Sequence, residues 1–329
     1  MSDSLPLLHY LTSDANFTDY RPAVNADGDA VIFERTPFPQ PANPLTVLYA
    51  IADFNSPNPE PFLSQGTGPD APPPSQTRPD WCWKTGQLLF NGARTNKSPL
   101  SVWQVGADGS APTRVSNTTG GCYPTWDRNI TPGVPAMFVT EYGGSKPDPC
   151  NAIFDVDGNL KAANIDGADL ATPPASVFGG MPTVGPNGLP QVAFAGQPVV
   201  KGWAGSSSNK YDQNYNYIFL NTESNGVFTS APMESEASLA SYDKSYQGRA
   251  PAWSPDGATI AFESNRNGGF AIYLCNLASG TITRVTDPAL GAQHAKFFPD
   301  GRKLIMCINH PNSDPPSMGI AWVDISGLL

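Results

Sequence analysis

Apolar residues fall in short runs along residues 251–284, PAWSPDGATIAFESNRNGGFAIYLCNLASGTITR. The runs lie at 252–253, 259–262 and 270–274, with a fourth around Ile282. A turn signal separates each from the next. In Ser254-Pro255-Asp256-Gly257 the proline suits the turn position that wants φ of about −65°, and the glycine suits the one that wants positive φ. Ala278-Ser279-Gly280 repeats the signal, and 265–269 is a looser connection. Strand, tight turn, strand, loop, strand, tight turn, strand predicts a four-stranded antiparallel meander. Such a sheet cannot bury both faces by itself, so it predicts neighbours of its own kind.

The rest of the chain supplies them. Proline, one residue, an apolar residue, a short turn and then an apolar strand recur at Pro22–Gly28 with 30–33, and at Pro79–Gly86 with 88–90. The pattern returns at Pro124 with 136–139, at Pro182–Gly188 with 191–194, and at 296–301 with 304–306. Third strands are predicted at 46–51, 101–105, 152–156, 215–220, 271–274 and 319–323, and fourth strands at 111–115, 226–230 and 281–285. Six repeats spaced about 45–70 residues apart predict an all-β, six-bladed β-propeller of four-stranded antiparallel blades, not a sandwich. Residues 1–329 are read as one propeller domain, with blades at about 19–76, 77–120, 121–179, 180–247, 248–290 and 291–329 plus 5–13. The sixth repeat stops after three strands, and residues 7–12 (LLHYLT) are patterned like 281–286 (TITRVT). The N-terminal strand is therefore expected to complete the last blade and close the ring, leaving no long unpaired edge.

Composition agrees. Pro (35) and Gly (31) make up about a fifth of the 329 residues and only 15% are charged, which favours many turns and short strands. No stretch holds a capped 3.6-residue apolar period. The net charge of −10 and the lack of any basic run argue against nucleic acid or anionic membrane as partners. No apolar run approaches the roughly 20 residues of a spanning helix. MSDSLPLLHYLTSD lacks a basic n-region and a long apolar h-region, so no signal peptide is expected; the chain reads as cytoplasmic or as a mature secreted or periplasmic form. The five cysteines show no zinc spacing; Cys275 and Cys307 lie within apolar strands as small buried hydrophobes. Cys122 and Cys150 fall at the same end of blade three, two strand spacings or about 9.6 Å apart, so pairing them requires the intervening loop to curl inward.

P-x-W-S-P-D-G-x-x-I-A-F-x-S-x-R, followed by I-Y-L and S-G-x-x-x-R-V-T, resembles the WD-repeat-like unit of TolB-type six-bladed propellers. Residues 251–286 match nearly in full, repeats six, two and one match in part, and repeats three and four keep only the skeleton. The resemblance covers the whole chain as a fold. It implies a range of roles, from protein-binding scaffolds and sugar-binding proteins to hydrolases and lyases.

The strand order assigns faces. The S-P-D-G and S-G turns share one face and are short. The loops at 36–44, 65–76, 140–149, 165–180, 196–214, 234–248 and 309–317 share the other and are long, so binding is expected there. Around the channel, the residue before the first-strand proline is Arg21, Arg78, Tyr123, Met181 and Ala250, with His294 in the sixth repeat and Arg249 preceding Ala250. Glu34 and Glu263 follow the apolar triplets of their second strands, and Arg94, Tyr142, Arg266 and His310 stand three positions further along. Arg94 and Arg266 are equally suited to pairing with a carboxylate of the neighbouring blade. Trp203 and Tyr211 sit in a loop rich in Asn, Gln and Ser, a composition that stacks on sugars or wraps peptides. Arg, Tyr, His and Glu at one mouth suit recognition of an acidic sugar or a peptide carboxylate.

The sequence carries neither a G-x-S-x-G nucleophile elbow nor a sialidase Asp-box. A three-histidine metal site would require His9, His294 and His310 to meet, and His9 belongs to an outermost strand. The expectation is a non-catalytic propeller without a cofactor, binding a carbohydrate or protein ligand around the channel. The alternative is a polysaccharide or oligosaccharide lyase or hydrolase at the same mouth.

Overall fold

Each repeat folds as a four-stranded antiparallel sheet in the computed structural model, giving six sheets in all. The structure describes all residues except 1–4, 43, 64–70, 95–98, 116–117, 119, 127–135, 142–149, 156, 163–176, 187–190, 199–216, 225–226, 236–237, 239–240, 242–245 and 311–316. Blade one comprises Phe17–Val24, Val31–Pro37, Val47–Ile51 and Glu60–Pro61. Blade two comprises Ser75–Trp81, Leu88–Ala93, Ser101–Val105 and Thr113–Arg114. Blade three runs through Cys122–Trp126, Ala136–Glu141, Cys150–Asp155 and Leu160–Ala162. Blade four has Val177–Val184, Val192–Pro198, Tyr217–Ser224 and Val227–Pro232. Blade five, the best-patterned repeat, has Gly248–Trp253, Thr259–Ser264, Ala271–Asn276 and Ile282–Arg284. Blade six has Gln293–Phe297, Lys303–Asn309 and Met318–Asp324, with Leu8–Tyr10 as its outermost strand.

The core lies between blades, because alternate side chains of a strand serve opposite faces. Ile260 and Phe262 pack with Ala193 and Ile218 of blade four. Ala261, between them in sequence, packs with Phe297 and Leu304 of blade six. The same alternation fills every other interface, from Val31 and Phe33 against Ile305 of blade six to Ile32 against Leu88 of blade two. Burial on both faces explains why the second strands read as unbroken apolar runs, not as alternating ones. Indole donors add stitches: Trp83 Nε1 donates to the Val24 carbonyl at 2.9 Å, and Trp253 Nε1 to that of Thr183 at 3.3 Å. The short turns behave as patterned, with Gly257 at φ 74° and its N–H donating to the Ser254 carbonyl at 3.0 Å.

The ring closes as expected. Leu8, His9 and Tyr10 pair antiparallel with Val323, Trp322 and Ala321. The Leu11 N–H donates to the Ile320 carbonyl at 2.8 Å, and Thr12 Oγ1 accepts from the Ile320 N–H at 2.8 Å. Leu11 is buried among Val24, Phe33 and Ile305, so the closing segment also fills the first interface.

Removal of residues 1–12 takes away this strand, the Thr12 acceptor and the Leu11 side chain. The expected loss is about 3–5 kcal/mol of unfolding free energy, from one buried leucine and several ladder hydrogen bonds. Denaturant titration of the shortened chain against the full one checks it.

Candidate functional site

The innermost strands share an irregularity that builds the channel wall. Each ladder between first and second strand shifts register at one place: Tyr20/Ala23, Thr77/Asp80, Cys122/Thr125, Gly180/Thr183, Arg249/Ala252 and Gln293/Lys296. Within each bulge one residue turns left-handed: Arg21 (φ 46°), Arg78 (55°), Tyr123 (52°), Met181 (54°), Ala250 (45°) and His294 (51°). None is glycine, and all but His294 precede proline, which normally forces an extended conformation. Each costs roughly 1–2 kcal/mol of backbone strain. Proline follows because the innermost edge has no further strand to pair with, so its missing N–H is not needed.

Side chains from the preceding blade hold four of these residues. The Arg78 N–H donates to Glu34 Oε1 at 2.6 Å, that of Tyr123 to Asn91 Oδ1 at 3.0 Å, and that of His294 to Glu263 Oε2 at 2.7 Å. The Arg21 N–H faces the thiol of Cys307. Glu34, Asn91, Glu263 and Cys307 occupy the same register, opposite Tyr20, Thr77, Arg249 and Gln293. The two glutamates also hold arginines. Arg21 Nη1 donates to Glu34 at 3.0 and 3.1 Å, and Arg249 Nε to Glu263 Oε1 at 2.7 Å.

The six left-handed residues, with the residue after each, line one axial cavity of about 60 Å³. Asp80, Thr125 and Lys296, two positions further along their strands, line its lower part. Arg21 lies over the rings of Tyr20 (4.5 Å) and Tyr123 (5.6 Å), and Arg78 lies over Tyr123 at 4.4 Å. Arg78 Nη1 donates to Thr77 Oγ1 at 3.2 Å, and its buried Nε has no acceptor; Arg21 Nε is likewise buried without one. Lys296 Nζ stands 3.7 Å from Asp80 Oδ1. His294 is 8% exposed and meets the Tyr20 ring edge-on at 4.7 Å. Burial, then the neighbouring charges of Arg21, Arg249, Lys296 and Arg78, hold its pKa well below the ordinary imidazole value, so it is neutral at pH 7. Burial, followed by the field of Glu263, pushes the Cys307 thiol up, and burial above all raises the Tyr20 phenol. A second cavity of about 220 Å³ lies where the axis meets the short-turn face, among Trp83, Lys84, Pro186, Trp253, Ser254, Pro255 and Pro299.

The structure thus brings Arg21, Arg78, Tyr123 and His294 to one wall, with Glu34 and Glu263 behind it. Arg249 stands one step away, over Phe270 at 4.4 Å and donating to Gln293 Oε1 at 3.2 Å. Arg266 is turned into its blade, paired with Glu234 at 2.7 Å and bonded to the Tyr246 hydroxyl at 2.8 Å. Arg94 is exposed and lies 5.6 Å from the Trp103 ring. Tyr142, Trp203 and Tyr211 lie outside the described residues, as does the Cys150 side chain that a bond to Cys122 would need. The three histidines have separate surroundings: His9 stacks on Trp322 at 4.0 Å, His310 packs beside Gly319, and His294 lines the channel. Among the described residues no group of three or more His, Cys, Asp or Glu could hold a metal ion, and no helix is long and apolar enough to cross a membrane. Asp80, Thr125 and Lys296 are lining residues that motif reading passed over. Counting two residues past each left-handed position would have found them.

Comparison with known proteins gives the same architecture. No family model matches the chain. Tol-Pal system protein TolB of Francisella tularensis is 30% identical over 70 residues, 21% of this chain and 16% of that protein. The uncharacterized peptidase YuxL of Bacillus subtilis is 35% identical over 60 residues, 18% of this chain and 9% of that one. The chain therefore spans only a small part of the curated relatives it matches. Among solved structures, TolB from Acinetobacter baumannii aligns with TM-score 0.52 and 14% identity over 81% of this chain and 53% of that one. An oligogalacturonate lyase in complex with manganese aligns with TM-score 0.52 and 13% identity over 98% and 94%. Penicillium chrysogenum alpha-L-arabinanase complexed with arabinobiose aligns with TM-score 0.58 and 14% identity over 97% and 99%. The fold is that of the TolB-like six-bladed β-propellers.

Two outcomes test the wall. Glu263→Ala leaves Arg249 without its carboxylate and the His294 N–H without its acceptor, and is expected to cost about 3–5 kcal/mol. A Glu263→Met, Arg249→Met double variant should cost less than the single one, because no charge is left behind; a thermodynamic cycle from urea unfolding reads both. His294 contributes to stability above its unfolded pKa of about 6.5, because the folded state resists its protonation. Stability should therefore fall as pH drops below about 6.5 toward the depressed folded value, and His294→Gln should remove that part of the slope.

Proposed function

We propose that this propeller is a binding protein that takes an acidic ligand, a carboxylate carried by a glycan or a partner protein, at the channel mouth on its long-loop face. Arg78 is the observation that carries this reading. Its guanidinium lines the cavity, stacks on Tyr123, and among the described residues pairs with no carboxylate. A buried guanidinium N–H without an acceptor costs about 1–3 kcal/mol, and a ligand carboxylate offers two acceptors in the spacing of the guanidinium fork. Arg21, Arg78 and Lys296 bring three positive charges against the two carboxylates Glu34 and Asp80, a surplus of one in a chain of net charge −10. That surplus draws an anion into the channel while the rest of the surface repels it. Proteins of this fold include one complexed with a sugar, the arabinanase with arabinobiose, and one named for the Tol-Pal system, TolB.

The second reading is a polysaccharide or oligosaccharide lyase or hydrolase at the same mouth. It would use His294, a neutral imidazole beside the bound carboxylate, as its base. The depressed pKa of His294 makes it a weak base, which favours binding over catalysis.

Arrays of acidic and neutral glycans and of acidic peptides, probed with wild type and Arg78→Ala, test the proposal. Acidic binders should be held by wild type and lost about 10- to 100-fold in the variant, with partial retention in Arg78→Lys. No acidic binder at all, or binders indifferent to Arg78→Ala, would refute it.

A further inference from the structure

We propose that Asp80 sets the charge class of the ligand: by engaging Lys296 it restricts the channel to a singly charged acid group and excludes dianions. This rests on the anion-binding reading above and names what the site selects. Asp80 belongs to the first strand of blade two and Lys296 to that of blade six. Blade one, between them, supplies only Ala23 at the same level. The ion pair therefore reaches across the gap that this alanine leaves in the channel wall.

The aspartate is built in. It is 2% exposed, and its Oδ2 accepts from Thr125 Oγ1 and from the Trp126 N–H, both at 2.9 Å. Those two bonds orient Oδ1 toward Lys296. The 3.7 Å separation is an ion pair longer than a hydrogen bond, on a flexible stem that is 24% exposed. Lys296 is thus drawn to Asp80 and still within reach of an anion held by Arg21 and Arg78. With Asp80 charged, the described lining residues together with Glu34 behind them carry one surplus positive charge. A monoanion neutralises it. A dianion leaves a net negative charge inside the channel, which is costly away from bulk water. Asp80→Asn keeps the shape and both accepted bonds while raising the surplus to two.

Isothermal titration calorimetry with acetate and with inorganic phosphate, at about pH 8 where phosphate is mainly dianionic, tests this. Wild type should prefer acetate. In Asp80→Asn the phosphate-to-acetate affinity ratio should rise by about tenfold or more, from one unit charge a few ångströms away. Lys296→Gln should lower the ratio, and it stands as the second arm if Asp80→Asn fails to fold by circular dichroism. A ratio unchanged in the folded variants, with acetate still bound, overturns the role of Asp80 and leaves the anion site standing. If wild type and both variants bind neither anion, both readings fall together.

Discussion

Six backbone N–H groups at left-handed residues are the constraint around which the propeller is arranged. Each sits on an innermost strand, at a bulge, in a conformation that costs free energy for any residue but glycine. Where the acceptor is described, it comes from the neighbouring blade: Glu34 for Arg78, Asn91 for Tyr123 and Glu263 for His294. One blade's strain is thus relieved by the preceding blade's side chain. The strain and the ring are interdependent, and an isolated blade would have no such acceptor.

The same arrangement creates the site. A left-handed residue followed by proline swings the strand so that the two residues line the axis. Six repeats then deliver Arg21, Arg78, Tyr123, Met181, Ala250 and His294 to one small cavity. Glu34 serves two purposes there, accepting the Arg78 N–H and pairing with Arg21. Arg21 is thereby fixed in place, while Arg78 stacks on Tyr123 and among the described residues pairs with no carboxylate. The difference between the two arginines arises from one register position of their own blades, which holds Glu34 beside Arg21 and Asn91 beside Arg78.

Much of this was legible in the chain. Blade five could be read strand by strand, because its turns carry proline and glycine and its strands are buried on both faces. The equivalence of Arg21, Arg78 and Tyr123 followed from aligning the prolines, and that of His294 from the sixth repeat's turn and second strand. The partners did not. Arg249 bonds Glu263 across a ladder, and Arg266 bonds Glu234 from the connection that follows blade four. The short outer strands Glu60–Pro61 and Leu160–Ala162 also escaped, because two or three residues at an outer edge need no apolar pattern.

By itself the sequence determined the repeat, the number of blades, the closing strand and the six positions that ring the channel. These follow from local turn chemistry and from period-two burial, both of which act between near neighbours. Only the tertiary structure decided the bulge at each ring position and the cross-blade acceptors. It also decided the meeting of Asp80 with Lys296, 216 positions apart in sequence and brought to 3.7 Å. Those depend on which blades lie side by side, and no local pattern encodes that.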